Sequence, residues 1–519
     1  MTNITILWIA LPFLVGFIIY LLPRFDRFLA LSVTIISFSY ALKIFLDQSP
    51  LEISLLDNFG VSLMIDEVSA FFILTNALVT MAVTCYCWDN HKDAFFYMQM
   101  IILHGSVNAT FICADFISLY VALEVISIGS FLLITYSRTD KSLWVGLRYL
   151  FVSNVAMLFY LIGAVLVYQA HHSFNFSGLR GSPPEAIALI FLGLLVKGGI
   201  FVSGLWLPLT HSESQSQVSA MLSGVVVKAG VFPLVRCALM LPEIDPLVRF
   251  FGVSTALFGV AFAILEKDSK RMLAFHTISQ LGFVLAAPIV AGFYALTHGL
   301  VKSALFLIAG ILPSRNFKEL QYKPLQTNVW IALVIASFSI SGFPLLSGFG
   351  AKVLTSKNFL PWQVIVMNIA ALGTAISFAK FIFLPVAFRN SQSYSSAIKT
   401  NENNVNKNDL SIISNNEQET IIKTKNKSHI SNGFWVAMFI LLGGLIVANI
   451  FYFDAYTIKN TIKPLITIAI GWAIYLLIIK KLAIKLPRVI EEFEHLIGVM
   501  SLMLIFLFWI LWTKLSFFT

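Results

Sequence analysis

The chain has 519 residues and a formal net charge of +9, yet only 12% of its residues are charged and 58% are hydrophobic. With a mean hydropathy of +0.85 and about half the charge density of a soluble domain, it reads as a polytopic membrane protein. No basic cluster interleaved with aromatics marks a nucleic-acid-binding domain, so the basic excess belongs to loops.

At about 20 residues per span, helices are expected near 4–22, 28–46, 66–87, 95–113, 116–136, 146–168, 186–206, 218–240, 247–265, 271–291, 293–313, 328–352 and 361–388. Three more are expected near 434–453, 460–480 and 495–515, for about 14–16 in all. The first run lacks a basic n-region and a small-residue cleavage site, so it reads as a retained helix. Cys85 and Cys87 form a C-x-C inside an apolar helix, and with Cys113 and Cys237 they give no zinc or iron–sulfur spacing. No metal site is expected. Walker A and G-x-G-x-x-G patterns are absent too, so no cofactor is expected, and the chain alone oxidises no NADH and hydrolyses no ATP.

Loop charges fix the expected orientation. Arg24, Arg27, Arg138, Lys141, Lys267, Lys270, Arg271, Arg315, Lys318, Lys323, Lys480, Lys481, Lys485 and Arg488 fall on one side if the helices alternate. Asp47, Glu52, Asp57, Asp66, Glu67, Glu243 and Asp245 fall on the other. The basic side is then cytoplasmic, in a cell (inner) membrane, and both termini face outward. The Asn-, Ser- and Lys-rich stretch 391–432 has no sustained apolar period and reads as a disordered cytoplasmic loop, a solvated linker more readily than a docking segment.

Two spans look broken, at Gly204-Leu-Trp-Leu-Pro208-Leu-Thr-His211 and at Ser341-Gly342-Phe-Pro344-Leu-Leu-Ser-Gly348-Phe-Gly350. Such breaks survive in lipid only where protein or a wet cavity satisfies the freed backbone. Paired breaks in two halves point to a transport site; ordinary proline kinks are the bland alternative. Each break lies near a lysine, Lys197 or Lys352.

Mid-span ionisable residues form a series: Glu124, Lys197, Lys228, His298 with Lys302, and Lys352. A charge near a bilayer centre costs about 2.5–3.5 kcal/mol or more, and such groups mark ion paths and proton relays. A carboxylate that approaches or leaves a buried lysine changes how tightly the lysine holds its proton. His298 and Lys302 are four residues apart on one helical face, where imidazole can relay to amine. Against this stand a static ion pair for Glu124 and plain packing for His298. His104 and His276 with Gln280 are weaker members, and His104 reads as structural. His211 reads as a cap for the helix that follows, and His171 and His172 as solvated loop residues.

These residues carry a family resemblance. Lys197 through WLPLTHSESQSQVSAMLSGVVVKAGVFPLVR resembles the signature of the proton-translocating, antiporter-like membrane subunits of complex I, Mrp-type antiporters and membrane-bound hydrogenases. It departs at Leu209-Thr210 and Ser214-Gln215, within the loop. LYVALEVISIGSFLLI is similar to the family's glutamate helix, LEKDSKRMLAFHTISQLGFVL to its D-x-K-R segment, with His276 where a small residue is usual, and THGLVKSALFLIAG to its His–Lys helix. SGFPLLSGFGAKVL resembles the terminal-lysine segment, and lysine at 352 resembles the Mrp D-type branch rather than the M type.

The resemblance implies an all-α polytopic fold with two inverted five-helix repeats, each with one broken helix. It implies N-terminal transmembrane helices over 1–94, a proton-translocating antiporter-like core over 95–390, and C-terminal transmembrane helices over 433–519, beyond the 391–432 loop. The implied roles are Glu124 tuning Lys197, Lys228 linking the halves, and His298 with Lys302 passing protons toward Lys352. The implied partners are other membrane subunits of an Mrp-type or complex I-like assembly, with protons and Na+ as cargo. A pumping subunit of a quinone- or hydrogenase-linked redox complex, and a stand-alone transporter or assembly scaffold, remain alternatives.

Overall fold

The computed structural model describes residues 2–47, 49–55, 60–90, 92–387, 430–481 and 492–515. Residues 391–429 of the expected loop 391–432, and Asp57, Lys485 and Arg488, lie outside the described residues.

Among the described residues the chain is all-helical apart from two small strand pairs. Helices α1 (Thr2–Leu21), α2 (Asp26–Asp47), α3 (Glu67–Tyr86), α4 (Ala94–Thr110), α5 (Phe116–Ile134) and α6 (Asp140–His171) open the chain. The first broken span follows as α7 (Pro184–Gly198) and α8 (Trp206–Glu213). The next span runs from α9 (Ser216–Met221) through a π-helical turn (Leu222–Val226) into α10 (Val227–Met240). Then come α11 (Asp245–Leu265), α12 (Ser269–Ala286), α13 (Ala291–Ile311), the single-turn α14 (Phe317–Leu320), and the second broken span, α15 (Thr327–Ser341) with α16 (Ser347–Lys357). Helices α17 (Pro361–Ile382), α18 (Asn432–Ile450), α19 (Ile458–Leu477) and α20 (Phe493–Leu515) complete it. Thirteen spans among the described residues are long and apolar enough to cross a membrane. The three other expected windows are filled by α4, α12 and the α15–α16 pair.

Side-chain caps start many helices where the sequence changes from polar to apolar. Asp66, Asp93, Asp115 and Asp268 accept from the amides of Ser69, Phe96, Ser118 and Arg271 at 2.9, 3.0, 2.7 and 3.0 Å. A capping box of Thr139 and Ser142 opens α6. The segment before α3 is a hairpin, β1 (Leu51–Ser54) antiparallel to β2 (Ser62–Ile65), which the apolar periodicity did not announce. It is stitched to the α4–α5 turn through Met64 N–H to Ile112 O and Ala114 N–H to Ser62 O, both 2.8 Å.

Contacts between chain-distant loops sort the helix ends into two sets, as strict alternation requires. Lys92 donates to Gln215 (2.8 Å), Arg315 pairs with Asp268 (2.9 Å), and Leu325 of the short parallel pair β3 (Leu325–Gln326) and β4 (Val386–Ala387) bonds Pro385 O (2.9 Å). At the other ends, Arg236 of α10 grips Asp66, and Arg249 of α11 donates to Asn358 O at 2.9 Å. The two breaks fall in the seventh and twelfth spans. An offset of five both matches a pair of five-helix repeats and makes the broken spans run in opposite directions.

Both breaks have one backbone design. Gly199 and Gly342 end α7 and α15 in the left-handed conformation, at φ +66° and +84°. Non-glycine residues at positive φ follow, Phe201 (+54°) and Leu345 (+87°). Left-handed glycine is the common helix stop, because it carries no Cβ penalty. The first break therefore begins at Gly199, upstream of the expected Gly204–His211 window. Pro208 lies in the first turn of α8, where a missing N–H breaks no helical bond. The exposed carbonyls of α7 are satisfied within the protein, Val196 O by the Trp206 indole (2.9 Å) and Leu195 O by Ile200 N–H (2.9 Å) and Ser203 Oγ (3.2 Å).

Candidate functional site

The ionisable series lies in the buried middle of the bundle, as three local groups. In the first, Lys197 on α7 is 4% exposed and donates to two hydroxyls, Ser127 of α5 and Ser153 of α6, the latter at 2.7 Å. Those hydroxyls are 3.0 Å apart. Glu124, one turn before Ser127 and half-buried, is close enough for its charge and that of Lys197 to act on each other. It forms no ion pair within 4.0 Å among the described residues, so a static salt bridge is not what fixes this corner. Ser127 and Ser153 were missed in the sequence. Only the packing of α6 on α7 brings Ser153 into reach.

The second group spans the junction of the halves. Lys228 is fully buried, and its ammonium donates to the carbonyls of Ser223 (3.3 Å) and Gly224 in the π-helical turn just before it. A widened turn exposes such carbonyls, and π-bulges recur at functional sites for that reason. Lys228 lies against α13: a Cβ built on Gly299 comes within 3.5 Å of its nitrogen. His298 is therefore its neighbour, and the charges of Lys228 and Lys302 both act on that ring. Lys302, fully buried, donates to Leu273 O of α12 and lies 5.5 Å from the Phe306 ring centre.

In the third group His298 and Lys352 line one small cavity with Gln280, Tyr294, Thr297 and Ser339. Its volume, counted as space for water centres, is about 10 Å³, roughly one water molecule. The Lys352 nitrogen is buried, has no hydrogen-bond partner among the described residues, and sits 5.6 Å from the Phe283 ring centre. Neither ring nitrogen of His298 has one either.

The structure thus joins Glu124 to Lys197, Lys228 to His298 and Lys302, and His298 to Lys352. It does not join Lys197 to Lys228 by a hydrogen bond among the described residues. Their helices meet backbone to backbone, with a Cβ on Gly230 falling 2.2 Å from Gly198 N.

The remaining histidines divide. His104 bonds Thr80 (3.1 Å), Ser37 (2.9 Å) and Asn108 (3.1 Å) in a network joining α2, α3 and α4, which fits its structural reading. His171 and His172 are exposed. His211 is no cap: the residue before α9 is Gln215, and the His211 ring is buried and stacked on Phe306 at 4.7 Å.

Lys380, near the end of α17, was overlooked in the sequence although it is 8% exposed. It donates to Ala263 O (3.1 Å) and Glu266 O (2.7 Å) at the end of α11. Burial raises the Glu266 carboxyl, but Arg271 (3.1 Å) and the amides of Asp268 and Lys267 outweigh it and hold that carboxyl below its ordinary value.

The family described as NADH:quinone oxidoreductase/Mrp antiporter, TM, matches residues 113–377, which contain every residue of the series. That is about half the chain. The chain belongs to this family. Among relatives of this antiporter family, the D-type subunit of the Na(+)/H(+) antiporter of Alkalihalophilus pseudofirmus is 27% identical over 439 residues, covering 76% of this chain and 88% of the relative. A putative antiporter subunit mnhD2 of Staphylococcus aureus is 27% identical over 402 residues, covering 69% and 80%. The fold matches a chain of the Mrp complex from Dietzia sp. DQ12-45-1b with TM-score 0.72 and 20% identity, over 91% of this chain and 56% of that one. It also matches a chain of the membrane-bound sulfane sulfur reductase, an archaeal respiratory membrane complex, with TM-score 0.66 and 20% identity, over 87% and 99%.

Proposed function

We propose that this chain is the proton-handling membrane subunit of a multisubunit monovalent cation/proton (Na+/H+) antiporter, working with other membrane subunits. The observation that carries this reading is the buried row Lys197, Lys228, His298–Lys302 and Lys352, whose nitrogens meet hydroxyls, carbonyls and a water-sized cavity rather than carboxylates. Amines held by neutral groups can give up and regain a proton without breaking an ion pair, which suits a relay. In this reading Glu124 tunes Lys197 from beyond contact distance, Lys228 links the two halves, and protons pass by His298 and Lys302 to Lys352. The basic loops face the cytoplasm across an inner membrane, and both termini face outward.

A pumping subunit of a redox complex shares the family and the fold. The antiporter reading is favoured because the two relatives covered over most of their length are named as antiporter subunits. Everted vesicles carrying the intact complex decide the point: Lys197→Ala should abolish Na+-dependent proton movement, and wild-type transport by that variant would sink the reading.

A further inference from the structure

One buried titratable ring has no place in the row just described. His276 of α12 is 0% exposed, and neither of its ring nitrogens has a hydrogen-bond partner among the described residues. An imidazole buried with both nitrogens unmet is costly and calls for an explanation.

Its surroundings supply one. Tyr294 donates to Gln280 at 2.7 Å and Lys302 donates to Leu273 O, so α13 runs antiparallel to α12 with His298 level with His276. On the opposite flank Gln280 donates to Thr374 (3.4 Å), and the His276 ring packs on Phe378 at 4.6 Å. Those two rungs set α17 antiparallel to α12; Lys380, two residues beyond Phe378 toward the basic side, turns its amine to the α11 carbonyls of Ala263 and Glu266. The charges of Lys302, Lys380 and Lys352, from three different helices, all act on the ring, and His276 in turn acts on His298. On α8, which packs against α12, His211 is turned onto Phe306, and the one carboxylate, Glu213, acts on Lys270 at the basic end of α12.

Lys380 in turn borders a second cavity at the basic ends of the helices, of about 90 Å³ counted as space for water centres, room for several waters. Glu266, Lys267, Gln321 and Lys480 line it with Lys380. The Glu266 carboxylate is already engaged by Arg271 and two amides, so it does not lock Lys380 into an ion pair.

We infer that His276 and Lys380 form a side path that exchanges protons between the second half of the row and the cytoplasmic side, with the Glu266–Lys380 cavity as its mouth. The inference rests on the antiporter reading. A hydrated proton in the mouth protonates the Lys380 amine and leaves water behind; the Lys380 ammonium passes one to a ring nitrogen of His276. The imidazole takes that proton on one nitrogen and releases the proton of the other toward His298 or Lys352, so one proton enters and one leaves. The same steps run backward for release.

The test uses the intact complex in everted vesicles, with wild type and Lys197→Ala as references. Lys380→Arg keeps a cation on the Ala263 and Glu266 carbonyls but does not release its proton. His276→Gln keeps a polar side chain that does not titrate. Each should assemble normally, lower Na+-dependent proton movement at least about tenfold, and change the shape of its pH profile. Lys380→Cys, with the four native cysteines replaced by alanine, should react with a cationic thiol reagent in everted but not in right-side-out vesicles. Wild-type rate and pH profile in both Lys380→Arg and His276→Gln overturn the side path while leaving the antiporter reading intact. Reaction of Lys380→Cys from the outer side alone overturns the cytoplasmic mouth. If wild type itself moves no protons with Na+, the antiporter reading falls and the side path with it.

Discussion

The two broken spans share a backbone and differ in what they do with a lysine. In the first, Lys197 precedes left-handed Gly199 by two residues and is held by the hydroxyls of Ser127 and Ser153. In the second, Lys352 lies ten residues beyond left-handed Gly342, with a nitrogen that has no hydrogen-bond partner among the described residues, beside a cavity fit for one water. One break presents a lysine that is clamped with a carboxylate at a distance. The other presents an unbonded lysine that shares a water-sized cavity with His298. In the proposed relay the same interruption of a helix serves two jobs: opening the backbone to host a polar group, and opening a space for one to be exchanged.

The largest expected effects come from removing either amine. Lys197→Ala and Lys352→Ala should each cut transport by at least about a hundredfold, the scale at which positioned acid–base groups count, while helical content by circular dichroism stays at wild-type level. If Lys352→Ala transported normally, the exchangeable half of the comparison would be wrong.

The glycines separate the two jobs next. A Cβ at Gly342 lands 2.8 Å from Lys352 Cδ, whereas one at Gly199 lands 2.4 Å from Leu207 Cδ1. Both alanine variants strain a left-handed residue by about 1–2 kcal/mol. Gly342→Ala should also displace the Lys352 stem and lose transport out of proportion to stability. Gly199→Ala should lose melting temperature first. Equal ratios of transport loss to stability loss in the two variants would erase the distinction.

A smaller effect is expected from the clamp. Ser127→Ala or Ser153→Ala leaves one hydroxyl on Lys197, so each should slow transport by about tenfold, the low end of what one hydrogen bond to a charged group is worth. The double variant should approach Lys197→Ala. A double variant no worse than either single one would mean that the hydroxyls do not hold the ammonium during turnover.

Much of this was legible in the sequence and some was not, for physical reasons. Spans show themselves as runs of about twenty apolar residues, so all sixteen expected windows contain helices. The hairpin before α3 is too short and too polar for that signal. The first break was placed at Pro208 because proline is conspicuous, but proline costs a helix little in its first turn, and the deciding property, a positive φ at Gly199, has no side chain to announce it. The six site residues stood out as charges in apolar runs. Ser127, Ser153 and the π-turn carbonyls did not, since hydroxyls and backbone are common in such helices and only packing aims them at a lysine. Lys380 was hidden by its position near a helix end, where a lysine ordinarily snorkels to water; its inward bonds to Ala263 and Glu266 are a tertiary fact.

The smallest expected effect on transport guards the comparison against a trivial explanation. Asp66 caps α3 and grips Arg236 of α10 through its two terminal guanidinium nitrogens, one of them at 3.0 Å, with side chains 21% and 3% exposed. This contact lies at the end of the span that carries Lys228 and outside the row. Burial raises the Asp66 carboxyl, but Arg236 and Ser69 outweigh it and hold it below its ordinary value. A carboxyl lowered in the folded state stabilises fully above its unfolded value, about 3.9, and loses that contribution as pH falls through the lower folded value. Asp66→Asn should therefore cost about 3 kcal/mol at neutral pH, the low end for a broken buried pair. Below about pH 4 the gap to wild type should begin to narrow, and it should close once pH has fallen through the lower folded value. Thermal unfolding of the solubilised protein at pH 7 and over a series falling from about pH 4 would measure both. Transport at neutral pH should stay within about twofold, as expected of a substitution that adds no barrier to proton transfer. If Asp66→Asn silenced transport as thoroughly as Lys352→Ala, loss of packing would account for both, and the contrast between a clamped and an exchangeable lysine would have no support from mutation.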